Sequence, residues 1–76
     1  MDKLSSLVSR VLNIDVSSVG DDTSPESIES WDSFNGLVLV TELEKEFKVK
    51  FSIEEIVSVK NVGDIRRALK EHGVML

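Results

Sequence analysis

The spacing of apolar residues in the first part of the chain constrains the fold more than any other feature. Leucine and valine recur there at intervals of three and four residues, at Leu4, Leu7, Val8, Val11 and Leu12. This spacing places all five side chains on one face of a helix. We therefore expect a first helix over about residues 2 to 13, with Asp2 at its electropositive end.

The next segment, residues 13–31, keeps no helical period and is rich in serine and aspartate. A loop of this length is uncommon in a small domain and is usually functional, disordered or held down by buried side chains. Four apolar residues can hold it down: Ile14, Val16, Val19 and Ile28. The run Ser24-Pro25-Glu26 combines a cap with a proline at the first helical position, which predicts a brief turn over about residues 25–29.

A second amphipathic run predicts a helix from about Ser33 to Lys48, with Asp32 as its N-cap. We expect an inward stripe made of Leu37, Val40, Leu43 and Phe47, with Phe34 and Leu39 beside it. Gly36 lies in the first turn, where glycine costs helix stability. Either it is tolerated near the helix end, or a side chain there would obstruct something close to Ser33.

The remaining residues predict two further helices after Val49-Lys50-Phe51, which alternates like an extended linker. Ser52 and Glu55 have the spacing of a capping box, which opens a short helix carrying Ile53, Ile56 and Val57. Asn61 can cap a last helix in which Ile65 and Leu69 face inward. The sequence thus predicts an all-α fold, a small four-helix bundle with a long loop between helices one and two and a short third helix. We expect a single domain over residues 1–76.

The sequence contains few residues that could catalyse a reaction or bind a metal. The 76 residues contain no cysteine and one histidine, His72. There is no Cys/His set for zinc, no glycine-rich phosphate loop and no EF-hand spacing. Ser33 has no histidine near it in sequence that could act as its base. We therefore expect a protein that is not an enzyme and binds no metal.

The charge pattern limits the classes of partner. The formal net charge is −5, and residues 1–44 hold nine acidic and two basic side chains. Nucleic acid and anionic membranes are therefore not expected as partners. No apolar run approaches membrane-spanning length and no signal peptide is visible, so we expect a cytoplasmic protein. The acidic surface is either ordinary solvated surface or a means of steering basic partners.

One stretch of the sequence resembles a known family. The tetrapeptide WDSF at residues 31–34, followed by Leu37, Leu43 and EKEF at residues 44–47, is similar to the acyl carrier proteins. In that family an Asp-Ser-apolar motif opens the second helix. Its serine carries 4′-phosphopantetheine, which a dedicated transferase adds from coenzyme A. The chain length, the acidity, the helix order and the long first loop match as well.

The resemblance implies specific roles for the motif. Ser33 would be the attachment residue for 4′-phosphopantetheine, and Asp32 would be recognised by the phosphopantetheinyl transferase. The 4′-phosphopantetheine group, a flexible arm, carries a thiol that holds acyl intermediates as thioesters. The carrier would present them to acyl-loading and acyl-processing enzymes of fatty-acid, polyketide or lipid biosynthesis. Those enzymes would have basic or mixed docking patches, and the carrier itself would be a monomer.

Two further groups of residues follow from the resemblance. We expect partner contacts from Trp31, Phe34, Asn35, Leu37, Val38 and Glu42. We expect an acyl-chain cavity lined by Val40, Leu43, Phe47, Ile56 and Ile65, although for each of these alone an ordinary core position is the better interpretation. Trp31 replaces the small residue often found before Asp-Ser, and no acid follows Phe34 until Glu42. These departures from the commonest fatty-acid carriers indicate specialised rather than housekeeping partners.

Two alternatives remain open at the level of sequence. A carrier for aminoacyl or peptidyl cargo would share the same fold and the same serine. A helical protein-interaction module without a prosthetic group would use Ser33 only as a helix cap and Trp31 as a contact residue.

Overall fold

The computed structural model describes residues 3–75 and contains the four helices in the expected order. They are α1 (Lys3–Leu12), α2 (Ser33–Phe47), α3 (Ile53–Ser58) and α4 (Val62–Glu71). No strand occurs within residues 3–75, so the all-α prediction is confirmed. A short 3₁₀ turn, Val16–Ser18, lies in the long connection and was not predicted. The expected role of Asp2 falls outside the described residues.

The core is formed mainly by α1, α2 and α4. Its members are all apolar and nearly inaccessible to solvent: Leu4, Leu7, Val8, Leu12, Trp31, Leu39, Leu43, Val62, Ile65 and Leu69. Burial of such side chains contributes roughly 1.5–3 kcal/mol each to folding, relative to leaving them exposed. Three of the four expected residues, Ile14, Val19 and Ile28, pack against this cluster and hold the long connection down, whereas Val16 is not among the residues packed on it. Among residues 3–75, no helix is both long enough and apolar enough to cross a membrane.

The buried face of α2 differs from the predicted stripe. Leu39 and Leu43 are buried, whereas the Leu37 side chain is 64% exposed and Phe34 is 73% exposed. Val40 and Phe47 are half-buried. Leu37 was therefore wrongly assigned to the inward stripe. It lies two positions before Leu39, which is roughly 200° around the helix, and α2 packs through the Leu39 side.

Side-chain caps fix the start of each helix after α1. The Asp32 Oδ1 accepts the Asn35 N–H at 2.9 Å. The Ser52 Oγ accepts the Glu55 N–H at 3.1 Å, while the Glu55 Oε1 accepts the Ser52 N–H at 2.8 Å. These contacts confirm the predicted cap and the predicted capping box. The Asn61 side chain caps α4 in the same way, as predicted.

Backbone hydrogen bonds attach the long connection to the start of α4. The Val62 N–H donates to the Thr23 carbonyl at 3.0 Å, and the Gly63 N–H donates to the Asp21 carbonyl at 2.8 Å. The Arg66 Nε also donates to the Asp21 Oδ1 at 3.1 Å. Because these bonds use N–H groups of the first turn, the loop itself satisfies donors that a helix leaves unpaired.

The loop approaches α4 closely at Gly63, which gives a first prediction. A Cβ on Gly63 would lie 3.1 Å from the Asp21 carbonyl oxygen, whereas a Cβ on Gly36 would come no nearer than 3.6 Å to Trp31. We expect Gly63→Ala to lower the free energy of unfolding by about 1 kcal/mol, the order of one hydrogen bond. Gly36→Ala should be neutral or stabilise by up to ~1 kcal/mol, because alanine favours the helix. Urea unfolding of both variants measures the change in the free energy of unfolding. Equal changes in the two variants would contradict this expectation.

Candidate functional site

Ser33 is the first residue of α2 and is exposed. The preceding residue, Asp32, has extended backbone (φ −104°, ψ −174°) and its side chain caps the helix. The Ser33 hydroxyl has no hydrogen-bond partner among residues 3–75. The helix therefore starts without help from this hydroxyl, and the interpretation of Ser33 as merely a cap is wrong.

Hydrogen bonds connect the start of α2 to the end of α1. The Asn35 Nδ2 donates to the Ser30 carbonyl at 2.8 Å, and the Ser30 Oγ donates to the Leu12 carbonyl at 2.7 Å. Asn35 is half-buried, and its amide holds the residues before Ser33 in place. Ser33 is thus presented by a fixed junction between the loop and the helix.

A cavity of about 200 Å³ opens beside Ser33. Its lining comes from α2, α3, α4, the segments between them and the long connection before α2. Four of the five expected lining residues contribute to it: Val40, Leu43, Ile56 and Ile65. Phe47 does not line it and packs against the core instead, so that assignment is wrong. Phe47 lies 14 residues beyond Ser33, roughly 21 Å along the helix axis, past the end of the cavity.

Trp31 is a cavity and core residue. Its side chain is only 7% exposed, and it lines the cavity together with Ser33 and Gly36. The expectation that Trp31 contacts partners is therefore wrong, because its large ring is taken up by the core of this chain. A Cβ on Gly36 would only touch the indole in ordinary van der Waals contact. A small side chain at position 36 would therefore not clash with the rest of the chain, so the structure gives no support for a steric need for glycine beside Ser33.

Exposed apolar side chains occur on two of the helices that border the cavity, α2 and α3. Phe34 and Leu37 of α2 were expected to be accessible to partners, and both are exposed. On α3, Ile53 is 75% exposed and Val57 is 72% exposed. The sequence analysis did not identify these two as surface candidates. Their i, i+4 spacing was the available signal, since it puts both on one side of a short helix.

Two other residues expected at the partner surface are partly covered. Val38 and Glu42 are half-buried. The Glu42 Oε1 lies 3.5 Å from the Arg10 Nη1 of α1, so its charge is already paired within the chain. Exposed pairs of this kind contribute little to stability, typically about 0–1 kcal/mol.

Helix α3, one wall of the cavity, is held by contacts at and just before its first turn. The Glu55 Oε2 lies 2.8 Å from the His72 Nε2 at the end of α4. The His72 ring packs edge-on against Phe51, with 5.2 Å between ring centroids. The Phe51 N–H in turn donates to the Glu44 Oε2 at 2.8 Å. His72 therefore has a structural contact within the chain.

Comparison with known proteins agrees with this fold and site. Residues 2–69 match a family model described as a phosphopantetheine attachment site. Two acyl carrier proteins of Brachyspira hyodysenteriae are 33% identical over 73 residues, which covers 95% of this chain and 94% of each relative. A solved structure described as a candidate acyl carrier protein of Mycobacterium tuberculosis has a TM-score of 0.81 at 25% identity. That match covers 91% of this chain and 92% of the other.

The fold and the matches define a carrier that bears a prosthetic group. The chain belongs to the acyl carrier protein family. Members of this family are carriers and not catalysts, and they hold 4′-phosphopantetheine covalently. They interact with a phosphopantetheinyl transferase and with acyl-processing enzymes.

The cap on α3 predicts a pH dependence of stability. The backbone N–H of Ser52, and secondarily His72, lower the pKa of Glu55 from its usual value of 4.5. A carboxylate with a lowered pKa stabilises the fold above its usual pKa, and this contribution is lost as the pH falls through the lowered value. We expect Glu55→Gln to lose less stability than the wild type between about pH 5 and pH 3. Thermal unfolding across this pH range measures the loss of stability. Glu54→Gln is the control and should lose stability like the wild type. Identical acid sensitivity of wild type and Glu55→Gln would contradict it.

Proposed function

We propose that Ser33 carries the 4′-phosphopantetheine arm and that the chain presents acyl thioesters to enzymes of fatty-acid, polyketide or lipid biosynthesis. One observation supports this most. Asp32 caps α2, so the exposed Ser33 hydroxyl has no structural task and lies at the rim of an apolar cavity. The hydroxyl is accessible to a transferase, and a folded-back arm can reach the cavity.

The local electrostatics suit a phosphodiester at Ser33. The N–H groups of the first turn and the helix dipole favour a negative group at the start of the 15-residue α2. The nearby carboxylate of Asp32 is exposed, which supports its proposed role in transferase recognition. No base within the chain is required, since the transferase supplies the chemistry.

The cavity favours acyl cargo over the alternatives. Val40, Leu43, Ile56 and Ile65 give it a mainly aliphatic wall, which suits a hydrocarbon chain. An aminoacyl group would bring a charged amine into this wall, where the carboxylate of Glu55 already contacts the Ser52 N–H and His72, and burial of a poorly paired charge is costly. The interaction module without a prosthetic group loses its support, because Trp31 is buried and Ser33 is not the cap.

We further propose that partners dock on the exposed apolar residues of α2 and α3. Phe34, Leu37, Ile53 and Val57 offer apolar contact area, and the acidic surface adds attraction to basic or mixed patches. Such docking would be weak, which allows one carrier to visit several enzymes while the arm keeps the cargo at high effective concentration. A monomeric state, a cytoplasmic location and a single domain over residues 1–76 stay predictions.

Loading by a transferase tests the attachment residue. After incubation with coenzyme A and a phosphopantetheinyl transferase, the wild type should gain one phosphopantetheine by intact mass. Ser33→Ala should gain none, because the acceptor hydroxyl is gone. Ser6→Ala, which removes an exposed serine of α1, is the matched control and should be modified like the wild type. A modified Ser33→Ala variant would place the arm on another residue and refute the assignment.

Melting temperatures test the cavity. A cargo that occupies the cavity binds the folded state alone and raises the melting temperature. We expect the temperature to rise from the holo form to the hexanoyl and then the octanoyl form. Val40→Phe fills part of the cavity and should abolish the rise, whereas Val57→Phe makes the same change on the surface and should retain it. Equal melting temperatures for holo and octanoyl wild type would exclude acyl binding in the cavity.

A further inference from the structure

The indole of Trp31 brings an unpaired hydrogen-bond donor to the cavity. The side chain is more than nine-tenths buried, with 7% of its surface exposed. Among residues 3–75, no acceptor receives its Nε1–H. Every fully buried nitrogen or oxygen of the described side chains has a partner, so the Nε1 must reach open space. A buried tryptophan usually pairs this group, which makes Trp31 an exception.

The Nε1 lies close to the first turn of α2, which begins with the attachment residue. The Nε1 lies 3.6 Å from the position that a Cβ on Gly36 would take, in the first turn of α2. Trp31, Gly36 and Ser33 all line the same cavity. The pyrrole edge of the indole therefore lies beside a residue with no side chain, and Gly36 leaves the N–H uncovered.

The other polar side chains of the cavity wall already have a role or a partner. Glu55 is its charged residue, and the two carboxylate oxygens accept from the Ser52 N–H and contact the His72 Nε2. The Ser33 hydroxyl is the proposed attachment point of the arm. Among the described side chains that line the cavity, the Trp31 N–H is thus the donor left for a cargo that enters it.

We propose that the Trp31 Nε1–H donates a hydrogen bond to a carbonyl oxygen of the acyl cargo when that cargo occupies the cavity. This inference rests on the proposed function. A hydrocarbon that covers the N–H removes its water and gives no acceptor in return, whereas a carbonyl oxygen restores the bond. Trp31 is then a specificity-determining residue, because sites built around a hydrogen bond reject analogues that cannot make it.

The single tryptophan gives a direct readout. Trp31 is the only tryptophan of the chain, so its indole N–H resonance is unambiguous. We compare the holo, octanoyl and 3-oxooctanoyl forms of the wild type by NMR. Loading should move the resonance downfield and slow its exchange with water. A downfield shift that begins with the octanoyl form identifies the thioester carbonyl as acceptor, and one that begins with the 3-oxooctanoyl form identifies the 3-oxo group. Slower exchange without a downfield shift means that hydrocarbon covers the N–H, and this result overturns the proposal.

A variant without the donor provides the second measurement. Trp31→Phe keeps an aromatic ring but has no N–H. Its gain in melting temperature from holo to loaded form should be smaller than the wild-type gain by about 2–8 °C, the effect of one hydrogen bond in a domain of this size. Each gain is measured against the variant's own holo form, so a change in basal stability does not affect the comparison.

The outcomes separate this inference from the function on which it rests. An unchanged indole resonance in the fully loaded protein overturns the role of Trp31 and leaves the carrier function intact. A change that is complete in the holo form also overturns it, because the acceptor is then an amide of the arm and not the cargo. A chain that accepts no arm by intact mass overturns both.

Discussion

The rest of the site depends on the hydrogen bonds that fix the junction between the long loop and α2. The loop is tied to α1 where the Ser30 hydroxyl reaches the Leu12 carbonyl, and α2 is tied to the loop where the Asn35 amide reaches Ser30. Asp32 then supplies the cap, which leaves the next residue, Ser33, without a structural role. Backbone groups at a helix start need partners, and here a neighbour of the serine meets that need.

The cavity follows from the way the surrounding elements are held. Two backbone bonds and Arg66 attach the loop to α4 on one side, while Glu55 and His72 link α3 to α4 on the other. Helix α3 has only six residues and none of them is fully buried. A short helix with few buried contacts opens at low free-energy cost. The short length and limited burial of α3 therefore suit the wall of a cavity that we propose to admit acyl cargo.

The features that could be predicted from the sequence are those that depend on residues close together in the chain. The caps at Asp32, Ser52 and Asn61 act over three residues, so the pattern alone identified them. The burial of Trp31 and the position of Phe47 depend on which elements pack against them, and helical spacing does not carry that information. The contact of Gly63 with Asp21 joins residues far apart in sequence, so no local pattern indicated it.

The central claim is that Ser33 is a covalent attachment point. The most direct measurement isolates the protein from its own cells and locates any prosthetic group by fragment mass spectrometry. The account predicts phosphopantetheine on the peptide that contains Ser33, with an acyl thioester on part of the population. A peptide in which Ser33 is always unmodified, or a group attached to a different serine, would contradict it.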